Sequence, residues 1–590
     1  MPADEPTAVI ETDVLIVGSG PAGASMGLFL STWGIDNVIV TRFHRLVRTP
    51  RAHLTNQRTL EALRDVGVER FVREQATPQD LLGQNVFCTA LAGEEVGRIH
   101  AWGTHPTRRA AHQLASPCEY VDLPQDLMEP ILVRNATLRG TRIRYDHEYL
   151  GHVQDADGVT ATVRDRLTGQ VVEVRAKYLY GADGGNSQVA TDAGLPLEGE
   201  MAVAGSMNIV FEADLSEYVA HRPSCLYWVL QDGADVGGVG AGVIRMVRRW
   251  WRWLIVWGWD LEDGPPDLDD ETALGIVRRL TGLPDLDARI DSTSLWTVNN
   301  SWGTEYRSGR VLCGGDAMHR HPPTNGLGSN VSIQDSYNLA WKLALVLRGV
   351  ADDSLLDSYS AERAPIGRQT VERANRSISD FMPIFAALGL MDATTPEEAM
   401  AAMEARKDDT PEGAARRAAL REAIAGTEYV YNAHGVEMNQ RYTSGAVVDD
   451  GSPDPGFVGD PELDYEPSTR PGAHLPHAWL RRGPTGAEVV STLDLVGNGR
   501  FTVLTGIGGD GWISAAEKVA HDTGLEIATA SIGPGQDYED VYGDWPALRE
   551  VGDDGVLLVR PDGHVAFRHP TRDDAAESRL ADAVHAILGR

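Results

Sequence analysis

A four-residue run of branched and leucine side chains, Val14 to Val17, passes without a spacer into Gly18-Ser-Gly20-Pro-Ala-Gly23 and a helical pattern from Ala22 to Trp33. Gly34 ends that pattern, and a second apolar run follows from Asn37 to Val40. An order of strand, glycines, helix and strand leaves few folds open: it predicts the βαβ start of a parallel sheet with a dinucleotide at the helix N-terminus. Gly18 allows the tight turn, Gly20 lets the backbone approach a pyrophosphate, and Gly23 lets helix and strand pack closely. Unpaired N–H groups at the helix start attract the anionic oxygens. One element of the pattern is replaced. The acid expected after the second strand, to hold the adenosine ribose, gives way to Thr41 followed by Arg42. A hydroxyl holds a ribose more weakly than a carboxylate does.

A second stretch, Arg310 to Asn330 (RVLCGGDAMHRHPPTNGLGSN), reads as a buried strand entering Gly315-Asp316, then a loop containing Pro323 and a helix from about Ser329 to Arg348. Ile333, Tyr337, Trp341 and Ala344 recur at helical spacing and predict one apolar face. Gly326 and Gly328 remove side chains that would keep a flat ring from the backbone, and Asp316, acceptor-only at neutral pH, suits sugar-type hydroxyls. Equally, these glycines could serve only the turn. A third strand, Tyr178 to Tyr180, ends in Gly-Ala-Asp183-Gly184. Between these lie the basic segment TPRAHLTNQRTLE, whose Arg51 and Arg58 are phosphate partners or solvated charges, and LPQDLMEPIL, a short helix with Gln125 near its start.

At 590 residues the chain is too long for one core and predicts roughly three or four units. A net charge of −32 repels phosphate backbones and anionic membranes, so no nucleic-acid partner is expected. Lysine occurs only four times while arginine is abundant, a coding bias rather than a binding surface. Cys88, Cys118, Cys225 and Cys313 are scattered without CxxC or Cys/His pairing, so neither a metal site nor a disulfide framework is expected. Reduced thiols in the cytoplasm fit best. The acidic start Met1 to Glu5 is unlike a signal peptide, and no apolar run is long enough to span a membrane.

The three spaced turns, with PRAHLTNQRT, RPSCLYWVLQ, GDAMHRHPPTNGLGSN and NAHGVEMNQRY, resemble the class A flavoprotein monooxygenases, in the branch of the 2,4-dichlorophenol 6-monooxygenases and phenol hydroxylases. The resemblance runs over nearly the whole chain. It implies an α/β protein: a Rossmann-like FAD-binding domain of the 4-hydroxybenzoate hydroxylase fold (1–200 and 301–440), a mixed-sheet substrate domain (201–300), a linker (441–470) and a thioredoxin-like domain (471–590). It further implies that Gly18, Gly20 and Gly23 hold the FAD pyrophosphate with Arg51 as cation, that Gln125 and Asp316 bind the ribityl region, and that the stretch Gly326, Leu327, Gly328 to Asn330 meets the flavin ring. Asp183 falls in a motif that such enzymes use for both FAD and the nicotinamide. Ala190 stands where many of them carry arginine. A small hydroxylated aromatic substrate, NADPH or NADH, O2 and a homo-oligomer, dimer or higher, belong to the same implication.

Short apolar and alternating segments between Met201 and Asn300 predict the mixed sheet. Trp257 and its neighbours Trp250, Trp251, Trp253 and Trp259 either line an aromatic pocket beneath it or form plain core, and Tyr227 and Arg245 are candidates to orient a substrate hydroxyl. Trp251-Arg-Trp253-Leu-Ile255-Val256 approaches the WxWxIP signature of flavin halogenases but ends in valine, and the halogenase lysine is absent. Leu355 to Met382 and Pro396 to Ala425 read as helices, Val447 to Pro471 as a Gly/Pro/Asp-rich linker. Beyond it, strands, a helix, a hairpin turning at Asp562-Gly563 and a final helix contain no cysteine, which excludes dithiol chemistry.

No side chain here supplies electrons to dioxygen, so a flavin must, and the resemblance implies hydroxylation through a flavin C4a-hydroperoxide. That oxygen is electrophilic. The ring it attacks is activated by ionising a hydroxyl of pKa about 10, which calls for a base. His53, just after Arg51, is the candidate, with a hydrogen bond that merely holds its loop as the alternative. A flavin halogenase and a non-catalytic flavoprotein module, the latter motivated by Thr41 and Ala190, are the competing readings.

Overall fold

The computed structural model describes residues 9–231, 241–393, 395–483 and 486–590; the acidic start lies outside them. Val9–Val17 is a central strand of an eight-stranded sheet, parallel to Asn37–Val40 on one side and to Val171–Gly181 on the other. Val311–Cys313 runs parallel on the far side of Val171–Gly181. Val14, Leu15 and Ile16 are fully buried, as expected for parallel strands covered on both faces. Val17 is in register with Gly181, and Gly181 with Cys313. The three turns that follow these residues therefore leave the same edge side by side, at the carboxyl ends where open α/β sheets take ligands.

The helix Pro21–Thr32 packs against Gly328–Leu347 and Gln125–Leu138, all three over this sheet. The expected single apolar face of Gly328–Leu347 is not what forms. Asn330, Gln334, Asp335, Asn338 and Lys342 are buried with the apolar residues, and the helix is enclosed on all sides because each polar group finds a partner.

A second eight-stranded sheet is built on two long strands, Leu197–Glu212 and Arg289–Gly303, with Arg252–Trp259, Gly242–Arg248 and Leu226–Val229 beside them. It is not confined to 201–300. Gln84–Cys88 and Glu95–His100 extend one edge and His319–Arg320 the other, so segments distant in sequence complete the sheet. One face is covered by the helix Asp270–Thr281: Arg279 lies over the Trp257 ring at 5.3 Å. The opposite face meets the segment that carries Arg51, because Arg245 on that face donates to the Arg51 carbonyl.

The chain from 449 to 470 has no regular structure, and the C-terminal unit then forms a four-stranded sheet in the order Ile527–Ser531, Phe501–Thr505, Val556–Val559, Val565–His569, flanked by Asp510–Thr523 and Ala576–Leu588. Its hairpin tip enters the core beside the helix Gly328–Leu347. Arg560 and Asp562 are buried there with Glu362, Lys342 and Arg58.

Candidate active site

The first turn is shaped for a ligand. Gly18 has φ 108°, and a Cβ there would sit 2.1 Å from the Ala182 carbonyl oxygen, so only glycine fits between neighbouring turns. Gly23 is as crowded by Gly18. Gly20 is different: a Cβ would meet only Glu129 Oε1 at 4.0 Å, and Gly20 caps Pro21–Thr32 without a side-chain hydrogen bond. Open backbone at an uncapped helix start is what a pyrophosphate needs. Gly315 (φ 64°) brings the third turn against Ala22, and its N–H is held by buried Asp335 at 3.0 Å. That leaves the Asp316 side chain exposed at the sheet edge. Gly326 (φ 68°) lays its loop over Leu54, and Gly328–Leu347 also starts without a side-chain cap. Asn330 ties this start to the His53 segment, donating to the Leu54 carbonyl at 2.9 Å and accepting from Asn56 N at 3.0 Å. These features fit FAD.

The remaining cofactor candidates divide. Gln125 is stitched to the loop after Arg51, its N–H donating to the Ala52 carbonyl at 2.8 Å, and its amide donates to Glu129 beside Gly20. Arg51 is exposed near Glu129, whose carboxyl burial pushes up. Pro323 is exposed and accepts from Gly326 N, while Leu327 turns into a small apolar cluster with Val331 and Tyr442. Thr41 is buried, its hydroxyl accepting from Phe43 N, and Arg42 is exposed over the Phe43 ring. The Asp183 carboxylate is engaged by its own loop, accepting from Ser187 Oγ, Gln188 N and Val189 N. Arg58 is neither a phosphate partner nor solvated: it is buried against Glu61, His474 and the Asp562 carbonyl.

His53 sits between the two sheets. Its Nδ1 lies 3.0 Å from Asp122 Oδ2, and its side chain keeps 12% exposure. A carboxylate at Nδ1 fixes the Nδ1–H tautomer and leaves Nε2 as the free acceptor. Burial, then the nearby Arg245 charge, lower the His53 pKa against the opposing pull of Asp122, so the imidazole is neutral at pH 7. Arg245 is buried, and apart from its bond to Arg51 its Nε and Nη2 have no partner among the described residues. The wall is aromatic. Trp102 meets His53 edge-on at 6.2 Å and Tyr431 at 5.9 Å, while Phe381 packs on Trp228 at 4.5 Å. Trp102 adopts a left-handed backbone (φ 49°), strain of the kind held at functional sites.

The structure corrects two substrate candidates. Tyr227 and Trp257 lie on the face covered by Asp270–Thr281, opposite to Arg245, since successive strand residues alternate. The Tyr227 hydroxyl is also satisfied, donating to the Arg222 carbonyl and accepting from Ser224 N, both at 3.0 Å. Trp228, one residue on, faces the site instead. Asp122, Trp102, Phe381 and Tyr431 were not singled out by sequence. Only Asp122 carried a signal, as a carboxylate directly before the LPQDLMEPIL segment already of interest.

A family model described as FAD binding domain matches residues 11–374, and one described as aromatic-ring hydroxylase, C-terminal, matches residues 468–590. The chain belongs to the FAD-dependent aromatic-ring hydroxylases. It is 55% identical to a 2,4-dichlorophenol 6-monooxygenase of Cupriavidus pinatubonensis (strain JMP 134 / LMG 1197), over 98% of this chain and 97% of the relative. It is 50% identical to a phenol 2-monooxygenase of Pseudomonas sp. (strain EST1001), over 99% and 92%. Among solved structures it resembles the flavin-dependent monooxygenase PieE in complex with FAD and substrate, with TM-score 0.93 and 44% identity over 99% of this chain and 100% of that one. The protein is thus an FAD-dependent monooxygenase that takes a nicotinamide reductant and O2, and the halogenase and non-catalytic readings are not favoured. No helix among the described residues is long and apolar enough to cross a membrane, and no cluster there could hold a metal.

Proposed function

We propose that this enzyme hydroxylates a phenol or hydroxypyridine-type ring next to an ionisable hydroxyl, with His53 as the base that takes the hydroxyl proton. The carrying observation is the His53–Asp122 pair beside the Arg245 guanidinium, two of whose nitrogens have no partner among the described residues. Neutral Nε2 accepts the proton, Asp122 stabilises the imidazolium that forms, and Arg245 places a fixed positive charge beside the nascent phenolate. The aromatic wall excludes water. FAD, held by Gly18, Gly20, Gly23, Arg51, Gln125, Asp316 and the loop from Gly326 to Asn330, supplies the electrons and the activated oxygen.

Four buried, unpaired cysteines accord with a cytoplasmic location, and assembly as a homo-oligomer belongs to the same reading. The test is a panel of phenols, chlorophenols and hydroxypyridines, followed by NADH or NADPH consumption and product mass. An accepted ring accelerates reductant oxidation and gains one oxygen. Equal oxidation with and without every ring, or a chlorinated product in the presence of chloride, defeats the proposal.

A further inference from the structure

On the sheet face that carries Arg245, a further amide side chain is buried without a partner among the described residues. Asn85 is fully buried, and neither Nδ2 nor Oδ1 meets a hydrogen-bonding group among the described residues. Leaving both ends of an amide unpaired is costly, and native proteins accept it chiefly where a ligand or an ordered water completes the bond.

Its placement follows from register. Arg245 pairs with Leu226, while Tyr227 runs beside Val86 and Trp228 beside Phe87 in parallel. One step back along that parallel register, Asn85 lies beside Leu226, in one row with Arg245. Asn85 shares its face with Phe87, which meets Phe381 at 6.4 Å in the aromatic wall. The strands of Asn85 and Arg245 lie two spacings apart, roughly 9.5 Å between backbones, and both side chains rise from the same face.

We infer that Asn85 is a specificity-determining residue that reads a donor and an acceptor side by side on the substrate ring, on the side away from the hydroxyl held by Arg245 and His53. A primary amide offers N–H and C=O in one plane, and its complement is a ring lactam or a hydroxypyridine, not a chlorine substituent. A chlorophenol would leave both amide atoms unpaired. This rests on the hydroxylase reading and narrows its substrate class.

The test compares 2,4-dihydroxypyridine with phenol and 2,4-dichlorophenol on the FAD-loaded enzyme, by kcat/KM and by perturbation of the flavin spectrum on binding. Wild type is expected to favour the hydroxypyridine by 10-fold or more, and Asn85→Leu to erase that preference, mainly through KM, while flavin content stays unchanged. Asn85→Asp, which keeps an acceptor, is expected to retain part of it. A wild type that favours either phenol overturns the inference, as does an Asn85→Leu enzyme that keeps the preference, or a crystal structure of the substrate complex with water on both amide atoms. Should Asn85→Leu fail to fold, the wild-type comparison still decides. If wild type hydroxylates none of the rings, the hydroxylase reading itself fails, a distinct result.

Discussion

Two buried polar clusters, one reached by Arg58 of the helix Gln57–Asp65 and one around His53 just before that helix, differ in completeness. Around the C-terminal hairpin tip, every cation meets a carboxylate: Arg560 contacts Glu362 at 2.6 Å, Lys342 contacts the same Glu362 at 2.8 Å, and Arg58 contacts Glu61 at 3.0 Å. Near His53, two nitrogens of Arg245 and Asp122 Oδ1, and on the same sheet face as Arg245 both amide atoms of Asn85, have no partner among the described residues. Buried charge is costly unless paired. The first cluster pairs its cations internally and ties the C-terminal hairpin to the helix Gly328–Leu347, whereas the second leaves polar atoms for a ligand or an ordered water to complete. The contrast supports the His53 side as the substrate side of the molecule.

Removing one partner from the complete cluster is the largest test. Glu362→Ala strands Lys342 and Arg560, both fully buried, and is expected to destabilise the fold by about 3–5 kcal/mol. Thermal and urea unfolding measure this. A loss below about 1 kcal/mol would show that the network is hydrated and the contrast mistaken. Next in size is His53→Ala, which is expected to lower the hydroxylation rate at pH 7 by about 10²-fold or more with flavin content and melting temperature kept. An unchanged rate reduces His53 to a loop anchor.

Sequence made one side of this comparison more legible than the other. The Gly18 and Gly315 turns were readable because positive φ and crowding leave glycine alone admissible, and this constraint is local. Their convergence was suggested by three strand-turn signatures, but the register of Val17, Gly181 and Cys313 that enforces it is a tertiary fact. Face assignment failed at Tyr227, because a strand buried on both faces has no polar alternation to say which residue looks inward. The complete cluster was invisible for a related reason. Asn338 and Lys342 read as the solvated side of an amphipathic helix until Glu362 and Arg560, distant in sequence, arrive to pair them.

In the incomplete cluster the sign of a charge deletion should reverse. Arg245→Met keeps most of the apolar stem and removes a guanidinium with two unsatisfied nitrogens. The variant is expected to be as stable as wild type or up to about 1–3 kcal/mol more stable, while kcat/KM for an ionisable ring falls. Opposite signs for Glu362→Ala and Arg245→Met in the same unfolding assay would establish the comparison. Destabilisation by both would place Arg245 among structural cations instead.

The finest distinction is electrostatic and concerns the acid limb of the pH profile. Burial and then Arg245 hold the His53 pKa below 6.5, and Asp122 opposes them. A base must be neutral to act, so log kcat/KM should fall only as pH drops below that ordinary value, and the midpoint reports the free enzyme. Removing Arg245 deletes a charge that disfavours the imidazolium, so Arg245→Met should move the midpoint up toward 6.5. Asp122→Asn deletes the charge that favours it and should move the midpoint further down, while also lowering the plateau because the Nδ1–H tautomer is no longer enforced. Two neighbours that shift one limb in opposite directions would tie the titration to His53. If both variants leave the midpoint in place, the titrating group lies elsewhere and the base must be sought outside this cluster.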